Sequence, residues 1–366
     1  MTTRPAHPHA HGSCFCFIAP PDLLAHLAKE GTPEQREAAL QTIASSASIR
    51  ARRSLITELM QNTEIRGAML AFIAQPGGEK RAVYDAAHGG QADLPGQKVR
   101  GEGDPASDDD SVNEAYDGAD TTYDFYNELF SRDSIDGSGM EIVSSVHFGV
   151  GYDNAFWNGS QMVYGDGSGR IFVEGSFTKS IDVIGHELTH GITQFTAGLV
   201  YHKATGALNE HFSDVFGSLI KQKSRGQSAD QADWLIGEGI LVPGLGKALR
   251  SMKEPGTAFD GDSQPAHMSD YVDLPDDNDP RHDNGGVHIN SGITNRAFYL
   301  AAVAIGGNAW EKAGRIWYET LTGGHLKQDA DFRQAADATV EVAGQLFSDG
   351  GEQEAVQSAW QEVGVL

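Results

Sequence analysis

The sequence predicts an α+β fold in which strands and helices are concentrated in different parts of the chain. Short β-branched and aromatic runs next to glycine turns, typical of strands, occur between residues 66 and 173. After Gly198 the pattern is mostly helical to the C-terminus, with glycine-rich interruptions at 285–292, 306–307 and 323–324. We therefore expect a β-rich first part and a mainly helical second part.

Two helices are predicted near the N-terminus, over residues 22–29 and 33–47. Thr32 is a suitable N-cap for the second helix, and Pro33 fits its first position because proline has no N–H to leave unbonded. The arginine-rich stretch 50–53 indicates an exposed connection after this helix.

The middle of the chain combines strand patterns with one aromatic helix. Aromatic and small residues recur at helical spacing over 113–130, which favours a packed helix. A strand–turn–strand unit is expected to lead directly into a histidine-containing helix at 182–190. The predicted strands are 69–73, 81–85, 162–164 and 171–173.

The helix predicted at 182–190 carries two histidines, His186 and His190, one turn apart on the same face. Their Cβ atoms would be about 5–6 Å apart, a spacing at which two imidazoles can bind one Zn²⁺. Glu187 lies next to the first histidine, where it can accept a proton from water activated by the metal. The alternative is a surface helix with two histidines by chance. The apolar neighbours Val183 and Leu188 predict a buried helix, in which such a cluster needs a partner.

A catalytic zinc site needs a third protein ligand and a position left open for water. Glu210 and Asp214 also lie one helical turn apart, so Glu210 can be that ligand and Asp214 can orient a ligating imidazole. An ordinary exposed acidic helix face is the alternative. Leu208 and Phe212 argue against it, because they indicate that this helix is packed.

The composition excludes several classes of function. The formal net charge is −24, and it is unevenly spread, because residues 1–53 carry +2 and the remainder −26. Nucleic acid is not expected as a partner, because its binding requires a basic face. No apolar run of membrane-spanning length and no secretory signal peptide are visible.

The two histidine and carboxylate motifs together resemble the thermolysin family of neutral zinc metalloproteases. The match covers about residues 66–366, and the first 50 residues resemble the short propeptide of the protealysin-like subgroup. Other matching segments are Asn154–Trp157, Tyr201, Arg250–Met252 and Asp283–Gly292. The resemblance implies two lobes facing each other across a cleft, with the zinc helix between them. The domains expected from this resemblance are a propeptide at 1–50, a β-rich lobe at 51–195 and a helical lobe at 196–366.

The resemblance also implies roles for individual residues. Glu187 would be the general base, while Tyr201 and His288 would stabilise the oxyanion, with Asp283 orienting His288. A pocket that favours cleavage before apolar residues would be formed by Val183, Ile236 and Leu249. Substrate main chain would be held by Asn154, the backbone of Ala155 and Arg250.

One departure from the family pattern concerns its paired calcium site. Asp182, Asp233 and Glu238 remain at matching positions, but Lys221 replaces a bridging carboxylate, and residues 235 and 239 are not acidic. Since calcium prefers several oxygen ligands, we expect this site to be absent, with Lys221 pairing to the remaining carboxylates.

The N-terminal segment is expected to be an inhibitory propeptide that the enzyme removes itself, at Ser48–Ile49 or Ser54–Leu55. The inhibitory candidates are Cys14, Cys16, Pro20 and Pro21. A cysteine thiolate could reach the zinc; alternatively, both cysteines pack as small apolar groups and the segment fills the cleft.

The expected protein is a monomeric zinc endopeptidase acting on proteins and peptides, with no membrane or nucleic-acid partner. A protein inhibitor is left open. The resemblance favours secretion, while the missing signal peptide also leaves a cytoplasmic location open. A non-catalytic relic of a metal site and a metal-dependent hydrolase of small molecules are the alternative functions.

Overall fold

The computed structural model describes residues 16–60, 80–277, 279–348 and 350–366. In this part of the chain the main sheet has six strands in the order β1-β5-β6-β4-β2-β3. Strand β4 runs parallel to β6 and β2, whereas the other neighbours are antiparallel. The strands of this sheet are β1 (Cys16–Phe17), β2 (Arg81–Asp85), β3 (Gln97–Gly101), β4 (Ile142–Val146), β5 (Ala155–Trp157) and β6 (Met162–Tyr164).

Helices make up most of the chain after the sheet, as the α+β prediction requires. A two-stranded sheet of β7 (Leu235–Ile236) and β8 (Arg250–Ser251) lies among them. The helices are α1 (Pro21–Glu30), α2 (Pro33–Met60), α3 (Asp110–Phe130), α4 (Ser176–Lys179), α5 (Ile181–Phe195), α6 (Lys203–Arg225), α7 (Asp283–Ile305), α8 (Lys312–Thr322), α9 (Phe332–Leu346) and α10 (Glu352–Glu362). No helix in the described ranges is long and apolar enough to cross a membrane.

Helices α5 and α6 approach each other closely because a glycine lies at their crossing. A Cβ at Gly217 would stand 2.4 Å from the carbonyl oxygen of Asp182 and 3.1 Å from the backbone nitrogen of His186. Only glycine fits such a gap without moving backbone. Both helices are therefore buried along most of their length, and their polar side chains face each other.

The N-terminal segment lies against the rest of the molecule. Strand β1 adds to the edge of the main sheet next to β5, with Phe17 opposite Phe156. Helix α1 then begins at Pro21 and packs Leu23, Leu24 and Leu27 into the core. Helix α2 is capped as predicted, since Thr32 Oγ1 accepts the Gln35 backbone N–H at 3.3 Å.

Three predictions about the elements need correction or lie outside the described residues. The exposed connection predicted at 50–53 is wrong, because α2 continues through it to Met60. The strand predicted at 171–173 is also wrong: Phe172 forms only an isolated bridge with Leu241, and β6 pairs instead with β5 and β4. The strand predicted at 69–73 lies outside the described residues.

Candidate metal centre and active site

The two histidines of α5 face each other, with their Nε2 atoms 3.0 Å apart. His186 Nδ1 donates to Asp214 Oδ1 at 2.8 Å, and His190 Nδ1 donates to Asn209 Oδ1 at 2.8 Å. With the hydrogen on Nδ1, each neutral ring has a lone pair at Nε2. Burial lowers the pKa of His186 to about 4, which favours this neutral form. Two converging lone pairs repel unless a cation lies between them.

Glu210 on α6 completes a cluster suited to a metal. Its carboxylate oxygens lie 3.5 Å from His186 Nε2 and 3.3 Å from His190 Nε2, and all three residues are buried. Among the described residues, Glu210 Oε2 has no hydrogen-bond partner, which is costly for a buried carboxylate. Burial alone would raise its pKa, but the neighbouring charges of His288 and His190 hold it well below its usual value. Two imidazoles and a carboxylate are a donor set found in catalytic zinc sites.

Glu187 lies beside this cluster and is fully buried. Its Oε2 accepts the backbone N–H of Trp157 at 2.8 Å, while its Oε1 has no hydrogen-bond partner among the described residues. Burial raises the pKa of this carboxyl well above its usual value, so its basicity is increased. A proton acceptor of this kind is what general-base chemistry requires.

Asp214 connects the histidine cluster with Arg250 of β8. Both residues are buried, and the guanidinium donates to both carboxylate oxygens, with two bonds of 2.8 Å. Burial opposes the ionised carboxylate, but Arg250 and His186 hold the pKa of Asp214 far below its usual value. One carboxylate therefore orients both a histidine of the cluster and an arginine at the cleft.

His288 on α7 is held by Asp283, whose carboxylate accepts from Nδ1 at 2.6 Å and from the His288 backbone N–H at 2.7 Å. Burial opposes protonation, but Glu210 and Asp283 raise the pKa of His288 to about 9. Tyr201 lies between the two groups: its hydroxyl donates to Glu210 and is 3.3 Å from His288 Nε2. Both predicted oxyanion donors thus lie beside the cluster.

The N-terminal segment crosses the cleft as an extended peptide. His288 Nε2 donates to the Phe17 carbonyl at 2.8 Å, and Arg250 Nη1 donates to the Ile18 carbonyl at 3.2 Å. The Ile18 N–H donates to the Ala155 carbonyl at 3.1 Å, and the Ala19 N–H donates to Asn154 Oδ1 at 2.9 Å. Each predicted main-chain-binding residue therefore contacts this segment.

The side chain of Ile18 is fully buried. It belongs to the same apolar cluster as Val183, Ile236 and Leu249, the residues predicted to form a specificity pocket. Phe17 instead packs on the Phe156 ring, with centroids 5.3 Å apart. The side chains on the two sides of the Phe17–Ile18 peptide bond therefore occupy different apolar surroundings.

Two further groups of predicted residues lie away from these contacts. Lys221 Nζ is 3.0 Å from Asp182, 2.9 Å from Asp233 and 2.6 Å from the Leu235 carbonyl, at the N-terminal end of α5. Glu238 pairs with Arg225 instead, at 3.3 Å. Of the four inhibitory candidates, Pro20 and Pro21 mark the start of α1. Cys14 and the side chain of Cys16 lie outside the described part, so their role stays a prediction.

Sequence reasoning did not identify several contacts of the site. Asn209 is not among the predicted site residues, although it fixes the orientation of His190. Phe17 and Ile18 were not singled out, although they occupy the centre of the cleft. An apolar pair followed by Ala19 and Pro20 is a weak signal, and no local pattern relates it to residues more than 200 positions away.

The cleft holds a peptide next to a cluster of residues that could hold a metal ion, so the class that fits this arrangement is the metallopeptidases. Residues 74–194 match the family described as thermolysin metallopeptidase, catalytic domain, and residues 197–365 match its alpha-helical domain. The chain therefore belongs to the thermolysin family of metallopeptidases.

Individual relatives agree with this assignment. An extracellular metalloprotease of Pectobacterium carotovorum subsp. carotovorum is 47% identical over 356 residues, which are 96% of each chain. Protease PrtS of Photorhabdus sp. (strain Az29) is 48% identical over 291 residues, 78% of this chain and 76% of that protein. The precursor of protealysin, a metalloproteinase from Serratia proteamaculans, superposes with a TM-score of 0.81 at 47% identity, covering 96% of this chain and 100% of that one.

These findings confirm the predicted fold class and the predicted activity. The chain has the thermolysin-like fold and is a zinc metalloendopeptidase with a propeptide of the protealysin type. A non-catalytic relic and a hydrolase of small molecules are not favoured.

Proposed function

We propose that His186, His190 and Glu210 hold one catalytic zinc ion and that Glu187 is the general base. The observation that carries this proposal is the convergence of two imidazole lone pairs and a buried carboxylate, one of whose oxygens has no hydrogen-bond partner within the described ranges. When bound, zinc supplies Lewis-acid chemistry, polarising a carbonyl and making water more acidic. Neither role can be filled by the buried side chains alone.

Glu187 accepts the proton of the attacking water at Oε1, the oxygen that the Trp157 N–H leaves free. The charge that develops on the carbonyl oxygen is stabilised by His288, which points Nε2 at this position in the Phe17 contact. Asp283 keeps the imidazolium in place, and Tyr201 offers a second hydroxyl donor nearby. Glu187 then transfers its proton to the leaving amine.

Substrate binding is proposed to follow the contacts of the N-terminal segment. In that register the Phe17–Ile18 peptide bond occupies the reaction centre, because Phe17 provides the carbonyl at His288 and Ile18 the carbonyl at Arg250. The residue after the cleaved bond would then take the place of Ile18 among apolar side chains. We therefore infer cleavage on the N-terminal side of apolar residues such as Ile, Leu, Val and Phe.

The same contacts support an inhibitory role for the propeptide. Strand β1 and the following Ala19 occupy the hydrogen-bonding groups that a substrate main chain needs, and Ile18 is buried in the apolar cluster that includes the predicted pocket residues. Helix α1 adds a polar contact, since Asp22 accepts from the Ser263 hydroxyl at 2.7 Å. Inhibition by occupation of the cleft needs no cysteine–zinc bond, although a thiolate ligand stays compatible with it.

We propose that the enzyme removes its own propeptide, and that this requires α2 to open locally. Both predicted cleavage points, Ser48–Ile49 and Ser54–Leu55, lie within α2. A peptide bond must be extended to bind in the cleft, and Ile49 is buried in a small apolar cluster. Cleavage there therefore requires local opening of the C-terminal part of α2.

Calcium, location and assembly complete the proposal. We infer that the paired calcium site is replaced by Lys221, because an ammonium group lies between the carboxylates that would bind the ion.

Secretion is supported by the extracellular metalloprotease to which the chain is 47% identical. A monomer acting on proteins and peptides, with no nucleic-acid partner, stays the expected form.

Metal analysis tests the zinc site directly. Purified protein should contain about one zinc per chain, and Glu210→Gln should lose most of it, because an amide is a much weaker ligand than a carboxylate. His88→Gln, at an exposed position outside the cluster, serves as the control and should retain zinc. A Glu210→Gln protein with full zinc content would show that the ligand set is wrong.

A further inference from the structure

A chain of buried hydrogen bonds runs from the helical lobe to the metal cluster. It begins at Trp317 on α8, whose indole N–H donates to His211 Nε2 at 2.8 Å. His211 Nδ1 is 2.9 Å from Asn295 Oδ1, and Asn295 Nδ2 is 2.8 Å from Asp214 Oδ2. All four side chains are at most 1% exposed.

The chemistry of the chain allows only one arrangement of its hydrogens. An indole can only donate, so His211 Nε2 must accept and the neutral ring carries its hydrogen on Nδ1. That hydrogen requires an oxygen of Asn295 opposite it, which turns the amide nitrogen toward Asp214. Asp214, which as a carboxylate can only accept, requires the same orientation, so the Asn295 amide is fixed from both ends of the chain, by Trp317 on a different helix and by Asp214.

Asp214 is the point at which this chain meets the reaction centre. Its Oδ2 accepts from Asn295 and from Arg250 Nε, and its Oδ1 accepts from His186 and from Arg250 Nη2, all at 2.8 Å. Each oxygen therefore has two donors. Losing the donor from Asn295 would leave the carboxylate free to rotate toward the guanidinium, away from the imidazole.

We propose that His211 is a positioning residue: through Asn295 it fixes the carboxylate that holds both a zinc ligand and the substrate-binding arginine. The proposal rests on the zinc site and on the role of Arg250 given under Proposed function. It adds that side chains of α7 and α8, which touch neither metal nor substrate, determine how tightly zinc is retained.

Trp317→Phe tests this while keeping an aromatic ring in place. Without the indole N–H, the buried His211 Nε2 loses its hydrogen-bond donor, and the ring is held in the chain only through Asn295. Substituting a residue that orients a metal ligand typically changes metal affinity 10–100-fold. Because Trp317 acts on the ligand only through other side chains, we expect a smaller effect, with zinc release to a chelator accelerated roughly 3–10-fold. KM for a peptide should rise as well, because Arg250 is held by the same carboxylate.

Trp360→Phe is the matched control. Trp360 is fully buried, stacks on Trp317 with ring centroids 6.5 Å apart, and donates its indole N–H to Thr339 at 2.8 Å, outside the chain. Both variants should lower thermal stability, but zinc release should accelerate only in Trp317→Phe. Equal release rates in the two variants, or a rate for Trp317→Phe equal to that of the wild type, would overturn the proposal.

A measurement on the unmodified protein guards against a variant that does not fold. Nitrogen NMR of the zinc-loaded wild-type protein should show His211 as the neutral tautomer with hydrogen on Nδ1, and the opposite tautomer would contradict the proposal. If the wild-type chain binds no zinc, the proposed function itself fails. If it binds zinc and only the Trp317→Phe effect is missing, the positioning role alone is wrong.

Discussion

Replacement of Lys221 by methionine tests whether the Lys221 ammonium group stabilises the region in which the family has its paired calcium site. The ammonium group lies 3.0 Å from Asp182 and 2.9 Å from Asp233, and the Lys221 side chain is 3% exposed. Burial opposes its charge, but the two carboxylates raise its pKa above the usual value. Removing one partner of a buried ion pair leaves an uncompensated charge and costs about 3–5 kcal/mol.

That loss is large enough to measure by thermal unfolding. A chain of 366 residues has an unfolding entropy of about 0.8 kcal/mol/K, so the midpoint should fall by about 4–6 °C. Lys223→Met is the matched control, because Lys223 forms a partly exposed pair with Glu128 at 2.7 Å. Exposed pairs contribute about 0–1 kcal/mol, so its midpoint should move by about 1 °C.

Lys221→Glu extends the test to calcium. The substituted carboxylate joins Asp182 and Asp233, so the variant should be destabilised without calcium and partly rescued by it. A calcium-selective chelator should leave the wild-type midpoint unchanged. The reasoning is refuted if Lys221→Met unfolds at the wild-type temperature, or if the wild-type protein loses stability when calcium alone is removed.

Three other outcomes are expected. Wild-type protein should lose roughly its first 50 residues during expression while Glu187→Ala stays full length in the same host, as mass spectrometry would show; equal trimming of both would mean that another protease acts. Ile18→Asp should weaken inhibition, because it places a charge in a buried apolar site. The uncleaved precursor of this variant should therefore hydrolyse peptides faster than the uncleaved precursor of the control Leu40→Asp, whose substitution lies at an exposed position. Hydrogen bonds to Asp166 and Asp109 raise the pKa of His147 to about 9 from an ordinary value of 6.5. The stability from this pair is complete below pH 6.5 and lost as pH rises through 9, so His147→Gln should remove about 1–2 kcal/mol at neutral pH and flatten the alkaline pH dependence of unfolding.

Local patterns predicted the parts of the site that depend on helical spacing. His186 and His190 are one turn apart on any helix, and Glu210 and Asp214 have the same relation on the next one. Their meeting depends on the close approach at Gly217, which a sequence shows only as one glycine among many. The full length of α2 could have been predicted, since residues 34–60 contain neither glycine nor proline.

Long-range contacts were less accessible to sequence reasoning. Phe17 contacts His288, 271 positions away, and Ile18 contacts Arg250, 232 positions away. No periodic pattern in a sequence relates residues so far apart. Likewise, the link from Trp317 to Asp214 depends on side-chain rotamers of three helices. Such contacts follow from the packed fold rather than from any segment of it.

The central claim is that Glu187 performs proton transfer beside a zinc ion that other residues hold. The most direct measurement is the zinc content of purified Glu187→Ala together with its hydrolysis of casein. The account predicts about one zinc per chain, as in the wild type, with hydrolysis reduced to background. A variant that lacks zinc would contradict it by making Glu187 a ligand, and a variant that still digests casein would contradict it by removing Glu187 from the chemistry.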